Sequence, residues 1–197
     1  MARTAQEFSR AADSKNPDWK RPAGIMQAGL FEFQKEWKRA LAVYGNSSYQ
    51  NNMVVGAAAK LGELRCLAAL QNWGKLKTRA TAIIRDMKNR KPEETLLMGA
   101  NIALGDVELS AGNAKEAIYH YLRAALQLRT SGDPSREHET ALGKASVACS
   151  RHAARLEEEE KKAEYRGIAG QLIGELSRTY PGSGMIAVAE KELGKVR

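Results

Sequence analysis

Aromatic residues and cysteine are both scarce in this chain of 197 residues. Phe, Trp and Tyr together make up 6% of it, and there are two cysteines. Few aromatics argue against a β-sandwich, whose strands favour Val, Ile, Thr and aromatic side chains. Cys66 and Cys149 lie far apart on segments with helical periodicity. We therefore expect two buried thiols in a reducing compartment, with a disulfide as the open alternative.

Long apolar runs and enzymatic motifs are absent too. No stretch is long and apolar enough to span a bilayer, and the first ten residues lack the apolar core of a signal peptide. These absences predict a cytoplasmic protein, or a periplasmic or secreted one only if a signal peptide has been removed. Without a glycine-rich phosphate loop, a metalloprotease motif or a CxxC pair, we expect no catalytic residue, no cofactor and no metal. Cys149 and His152 share a helix face, but further ligands are not close by.

Charge is plentiful but unevenly placed. The formal charge is +8, with +7 on residues 60–91, −5 on residues 92–160, and +3 on each of residues 1–40 and 161–197. Such an uneven distribution of charge can steer an acidic partner or a nucleic acid toward the protein. A set of solvated helix faces would give the same distribution.

Apolar residues recur every three or four positions along most of the chain, which predicts helices. Prolines interrupt residues 1–23, so this section is predicted to be a flexible basic arm. The remainder, residues 24–197, is predicted to form one domain that begins with a single helix at 25–44. Helix pairs are then expected at about 49–90 (49–71 and 74–90), 93–130 (93–111 and 114–130) and 135–180 (135–160 and 162–180), with a capping helix at 184–196. Ser183 is expected to be the N-cap of that final helix.

The breaks between these helices recur with nearly one period. Leu61-Gly62 and Leu104-Gly105 lie 43 residues apart, Asn72 and Asn113 lie 41 apart, and Pro92 and Pro134 lie 42 apart. Three kinds of landmark with one spacing of about 42 residues indicate an internal repeat.

The middle repeat, from Leu104 to Leu128, resembles a tetratricopeptide repeat. After Leu104-Gly105 and a turn at Gly112-Asn113, small, aromatic and small residues follow with the spacing of that family, at Ala117, Tyr121 and Ala124. Glu108 stands where the family usually has an aromatic residue. The resemblance covers roughly residues 50–197 and is closest in this middle repeat.

The resemblance implies an all-α, right-handed solenoid of antiparallel helix pairs, here with an extra N-terminal helix and a C-terminal capping helix. Members of the family bind peptides or protein surfaces on a concave face that the first helix of each pair lines. We therefore expect a non-enzymatic protein–protein interaction module, such as an adaptor, a scaffold or an assembly factor. The candidate partner-binding residues are Lys60, Glu63, Asn101, Asp106 and Lys144. They do not have the spacing of the family's clamp for a terminal carboxylate, so such a clamp is not expected.

Two further interactions are predicted from surface composition. A basic helix could neutralise phosphates of a nucleic acid, although it lacks interleaved aromatic residues. Its candidate residues are Lys75, Lys77, Arg79, Arg85, Lys88, Arg90 and Lys91. The aromatic-rich segment 25–44 could also pack against a second copy of the chain.

Overall fold

A computed structural model of the chain describes residues 17–87, 94–127 and 135–196. Those residues form ten helices and no strand, which confirms the predicted all-α class. The predictions for residues 1–16, Pro92 and Pro134 lie outside the described residues. The helices are α1 (Pro17–Phe33), α2 (Trp37–Tyr44), α3 (Ser47–Gln50), α4 (Gly56–Ala69), α5 (Trp73–Met87), α6 (Glu94–Ser110), α7 (Ala114–Gln127), α8 (Arg136–Ala153), α9 (Glu159–Thr179) and α10 (Gly184–Leu193).

The chain divides into two compact units, Met1–Arg79 and Ala80–Arg197, and the boundary falls within α5. We call them unit 1 and unit 2 and describe each by itself. The prediction of one domain over residues 24–197 stays a prediction.

Helix α1 begins earlier than the sequence predicted. Residues 17–23, expected to belong to a flexible arm, are helical. Pro17 occupies the first helical position, where a missing N–H leaves no intrahelical bond unmade. Pro22 lies inside the helix and removes one backbone donor. The burial of Ala23 and Ala28 on the same helix offsets that loss.

The segment 25–44, predicted to be one helix, is two. Helix α1 ends at Phe33 and α2 begins at Trp37. Lys35, between them, has a left-handed φ of 61°. Its N–H donates to the carbonyl of Glu32, and the next N–H reaches back to the carbonyl of Phe31. This Schellman arrangement satisfies the last carbonyls of α1 and stops the helix.

The same helix ending recurs twice more. Gln71, with φ 54°, ends α4, and Gly112, with φ 84°, ends α6. In each case the left-handed residue donates to the carbonyl three residues back, and its successor donates to the carbonyl five residues back. The next helix starts two residues after the left-handed position in all three cases. The chain therefore builds the same helix–turn–helix junction at α1–α2, α4–α5 and α6–α7.

Packing within each unit follows one repeating pattern. In unit 1, α1 contacts both α2 and α4, and α2 also contacts α4. In unit 2, α6 contacts α7 and α8, and α8 contacts α7, α9 and α10, while α9 and α10 also pack together. Helices α1, α6 and α8 thus each meet their own partner and the first helix of the following pair. This is the neighbour-by-neighbour packing of a helical repeat; the predicted handedness stays a prediction.

The glycine of a Leu-Gly pair lets a tyrosine ring pack against the helix backbone in each of the two units. A Cβ added to Gly62 would lie 2.4 Å from the Tyr44 ring, and one added to Gly105 would lie 2.4 Å from the Tyr121 ring. Both rings are buried. In the middle repeat, Gly105, Ala117, Tyr121 and Ala124 are buried and Leu104 is half-buried.

The first helix of the third pair is shorter than the sequence predicted. The segment 135–160, expected to be a single long helix, ends at Ala153, and α9 begins at Glu159. Glu159 and Glu160 lie in the first turn of α9, where acidic side chains interact favourably with the helix dipole. The acidic run therefore starts a helix instead of extending one. Ser183 caps α10 by accepting from the N–H of Met185, as predicted.

Candidate functional site

The candidate partner face of unit 2 is centred on Asp106 of α6. Its Oδ1 accepts a 2.7 Å hydrogen bond from the Tyr121 hydroxyl of α7. The Lys144 ammonium of α8 donates to both carboxylate oxygens at 2.6 Å. Burial, and then the charge of Asp106, raises the pKa of Tyr121 above its ordinary value, so the ring stays a neutral donor. One carboxylate thus ties three consecutive helices together.

A second charged cluster joins α8 to α10. Glu192 accepts from the Arg151 guanidinium at 3.2 Å and from the Lys195 ammonium at 2.6 Å. The hydrogen bonds from Lys195 and then from Arg151 lower the pKa of Glu192. Lys144 and Arg151 are seven residues apart on α8, which places them on one side of that helix. The two clusters therefore lie on one surface of α6, α8 and α10, which we call the first-helix face.

Within the two clusters of the first-helix face, the cationic side chains are more exposed than the acidic ones. The side chains of Asp106 and Glu192 are only 13% and 14% exposed. Those of Lys144, Arg151 and Lys195 are 32%, 50% and 56% exposed. Because the acids are covered by their own partners, an approaching molecule meets N–H donors at this surface.

The structure brings together two of the five predicted partner-binding residues. Asp106 and Lys144 form the ion pair just described, whereas Glu63 and Asn101 are 2% and 1% exposed. Glu63 and Asn101 therefore contribute almost nothing to the surface of this structure. Lys60 is half-buried on α4. The role of these residues in partner binding stays a prediction.

Glu63 and Asn101 have internal functions instead. Glu63 accepts from Arg79 Nε at 3.1 Å and from the Gln50 side-chain amide, and so holds residues of three helices of unit 1. Asn101 donates to the carbonyl of Leu97 at 2.9 Å within its own helix. Its amide oxygen has no hydrogen-bond partner among residues 17–87, 94–127 and 135–196.

Two further Leu-Gly pairs, on the first helices α8 and α10, were not recognised from the sequence. Leu142-Gly143 on α8 and Leu193-Gly194 at the end of α10 repeat the Leu-Gly pairs of the first two repeats. A Cβ added to Gly143 would lie 2.6 Å from the methyl end of Met185, so here too the glycine admits a neighbouring side chain. The residue after each of these pairs, Lys144 or Lys195, belongs to the first-helix face. Both pairs could have been found by searching for the Leu-Gly dipeptide of the first two repeats. A search for a constant period missed them because their spacings are irregular.

The predicted basic face is only partly available for binding. Lys75, Lys77 and Arg85 are exposed, and Arg85 lies 3.5 Å from the neighbouring carboxylate of Asp86. Arg79 is already paired with buried Glu63. Lys88, Arg90 and Lys91 lie outside the described residues.

Several large apolar side chains are exposed. Within the segment predicted to mediate self-association, Phe33 of α1 is 72% exposed and Met26 is 50% exposed, whereas Tyr44 is buried. Self-association through residues 25–44 stays a prediction. The other exposed large apolar residues are Met53 and Val54 in unit 1, and Tyr119, Leu126 and Val188 in unit 2.

Both cysteines are buried and free, as the sequence predicted. Burial raises the pKa of the Cys149 thiol to about 12, and burial followed by the nearby Glu32 charge does the same for Cys66. Within the described parts of the chain, no helix combines the length and the apolar character needed to cross a bilayer. Nor do three or more His, Cys, Asp or Glu side chains of those parts form a group that could hold a metal ion.

Comparison of the sequence with models of known protein families and with curated proteins found no match.

Proposed function

We propose that this protein is a non-enzymatic, tetratricopeptide-like interaction module that binds an extended peptide segment of a protein partner on the first-helix face of unit 2. An adaptor, scaffold or assembly role follows from such binding. The observation that carries the proposal is the pair of cross-helix ion pairs, Asp106–Lys144 and Arg151–Glu192. They place side chains of three successive first helices on one continuous surface.

The charges of this face define the chemistry of the proposed partner. The most exposed charged groups, Lys144, Arg151 and Lys195, are hydrogen-bond donors. Arginine in particular binds carboxylates through two parallel hydrogen bonds. A segment with acidic side chains spaced along an extended backbone complements these donors. The resemblance of the middle repeat to a peptide-binding family supports the same partner class.

A displayed library of random peptides, selected on the purified chain, tests the proposal without a named partner. We expect enriched peptides to be acidic. Binding by Arg151→Gln should be weakened about tenfold or more, the equivalent of a charged hydrogen bond worth about 1.5–3 kcal/mol. The matched control is Arg166→Gln on α9, an exposed arginine away from the face.

Hydrogen exchange with a selected peptide locates the binding surface. Protection should appear in the peptides of α6, α8 and α10. Peptides that bind both variants equally, or that protect α7 and α9 instead, would contradict the proposal. Circular dichroism of each variant establishes that the helices are retained.

A further inference from the structure

One end of unit 1 is strongly basic. Leu70, at the α4–α5 turn, lines the same depression of about 340 Å³ as residues 35–39 of the α1–α2 turn, so these two turns lie side by side. Residues 34–39 and 70–77, which comprise both turns and the start of α5, contain five Lys or Arg and one acidic residue. We call this surface the basic end of unit 1.

Most of this positive charge is not neutralised locally. The side chains of Lys35, Lys38 and Lys75 are exposed, and none of them has an ion-pair partner among the described residues. Arg39 pairs with Glu36, the single acid, and stacks over the Phe31 ring at 4.0 Å. Repulsion between unpaired lysines destabilises the free protein, and a polyanion would relieve it.

Aromatic rings accompany the charges at the basic end. Phe33, the last residue of α1, is 72% exposed. Trp37 lines the depression and is half-buried. Phe33 is two residues from Lys35 in the chain. An exposed ring near lysines suits single-stranded nucleic acids, because bases stack on the ring while cations neutralise the phosphates.

The backbone of these turns gives an independent reason to look for a function. Lys35 and Gln71 are the non-glycine residues with positive φ in the described chain, and both lie in the two turns of this end. The equivalent position of the α6–α7 turn is Gly112. Glycine adopts this conformation without strain, so the turn geometry does not require lysine. The lysine at position 35 costs stability relative to glycine, and a ligand-binding role of its side chain would account for that cost.

We propose that the basic end of unit 1 binds single-stranded nucleic acid, with Phe33 as the stacking ring and Lys35, Lys38 and Lys75 as the phosphate contacts. This surface differs from the basic helix face considered from the sequence. The basic end shares the start of α5 with that predicted face and also includes the α1–α2 turn. The proposal does not depend on peptide binding by unit 2.

Fluorescence anisotropy with a labelled oligouridylate of about 12 nucleotides and the full chain tests this proposal. Neutralisation of about three phosphates predicts a logarithmic salt slope of about −2, or binding roughly 20-fold weaker at 200 mM than at 50 mM salt. A duplex of the same length should bind more weakly because its bases cannot stack on the ring.

Three variants separate binding from folding. Phe33→Ala should weaken binding at least fivefold, as expected for loss of one stacked base. Tyr119→Ala, which removes a similarly exposed ring on α7, is its control and should change nothing. Lys35→Gly should weaken binding while leaving the chain as stable as the unmodified protein or more so, because glycine relieves the left-handed strain. A purely structural role for Lys35 could not produce that combination.

Other occupants of this surface would give different results. Co-sedimentation with vesicles of phosphatidylserine that Phe33→Ala abolishes, without any oligonucleotide binding, would indicate a membrane surface. Sedimentation velocity showing a dimer that the same variant dissociates, again without oligonucleotide binding, would indicate a second copy. Either result would overturn the proposal, as would oligonucleotide binding unaffected by Phe33→Ala and Lys35→Gly.

Discussion

Replacement of Gly105 by alanine tests the packing at the centre of the repeat. In an ordinary exposed helix position, glycine to alanine raises the free energy of unfolding by about 1 kcal/mol, since alanine has the better helix propensity. At Gly105 the new methyl carbon would lie 2.4, 2.6 and 2.9 Å from three carbons of the Tyr121 ring. Real Cβ atoms do not approach ring carbons so closely, so either the ring or the helix has to move.

The ring has little freedom to move. Tyr121 is fully buried, and its hydroxyl is held by Asp106 at 2.7 Å. Displacing the ring would weaken a hydrogen bond to a charged acceptor, worth about 1.5–3 kcal/mol. Keeping it in place would force helices α6 and α7 apart, at the roughly 1–3 kcal/mol typical of overpacking. After the gain in propensity, we expect Gly105→Ala to lower the free energy of unfolding by about 1–2 kcal/mol.

Gly170 on α9 provides the matched control in the same unit. It is exposed, and a Cβ there would meet nothing within 4 Å, so Gly170→Ala should stabilise the protein by about 0.5–1 kcal/mol. Urea unfolding followed by far-ultraviolet circular dichroism measures both variants. All three tryptophans precede Arg79, so tryptophan fluorescence reports unit 1 and separates its unfolding from that of unit 2. Stabilisation by Gly105→Ala equal to that by Gly170→Ala would refute the packing argument.

Three further predictions concern other groups. Gly62→Ala should destabilise unit 1 by a similar 1–2 kcal/mol, because its Cβ would also meet a buried tyrosine ring; tryptophan fluorescence during urea unfolding measures this. Asp106→Ala should lower the free energy of unfolding by about 1–3 kcal/mol, since it leaves the Tyr121 hydroxyl without its acceptor; circular dichroism measures that change. The thiols of Cys66 and Cys149 should resist a disulfide reagent at pH 8 until urea unfolds the chain, because burial raises the pKa of each to about 12. In the unfolded chain both thiols ionise near their ordinary pKa of 9.0, so the free energy of unfolding should fall as pH rises from 9 toward 12.

Each of these predictions has a contradicting outcome. Gly62→Ala that unfolds at a higher urea concentration than the unmodified chain would show that the Tyr44 ring moves without cost. An Asp106→Ala variant of unchanged stability would mean that the hydrogen bonds accepted by Asp106 do not contribute to the free energy of unfolding. Rapid labelling of either thiol in the folded chain would contradict the burial of the cysteines. So would a free energy of unfolding that increases as the pH is raised from 9 toward 12.

Elements defined by local chemistry were predicted well from the sequence. The turn at Gly112-Asn113 and the cap at Ser183 depend on residues next to them in the chain, and both were confirmed. The break after Phe33 was missed because a left-handed helix end is predicted from glycine or asparagine, and position 35 is a lysine. The start of α1 was placed too late because two prolines suggested an arm. The packing of Ala23 and Ala28, which overrides that local preference, cannot be read from proline positions.

The candidate site was predicted less accurately than the helices. Glu63 and Asp106 follow equivalent Leu-Gly pairs and looked interchangeable in the sequence. The structure buries Glu63 against Arg79 and Gln50, whereas Asp106 joins Lys144 on the first-helix face. Which partner a carboxylate finds depends on residues 13 to 38 positions away, and helical periodicity carries no information on those distances. The basic end of unit 1 was missed for a similar reason, since helices α2, α3 and α4 separate its two turns in the chain.

The sequence by itself determined the all-α class, most of the helices and the Leu-Gly pairs at 61–62 and 104–105, because each of these depends on the spacing of apolar and small residues along one helix. The tertiary structure decided which charges are covered and which remain at the surface. Asp106 and Glu192 are shielded by their own cations, while Lys35 and Lys38 have no ion-pair partner in the part of the chain that the structure describes. The physical reason is that ion pairing and exposure are set by neighbours across helices, and those neighbours exist only after the helices have packed.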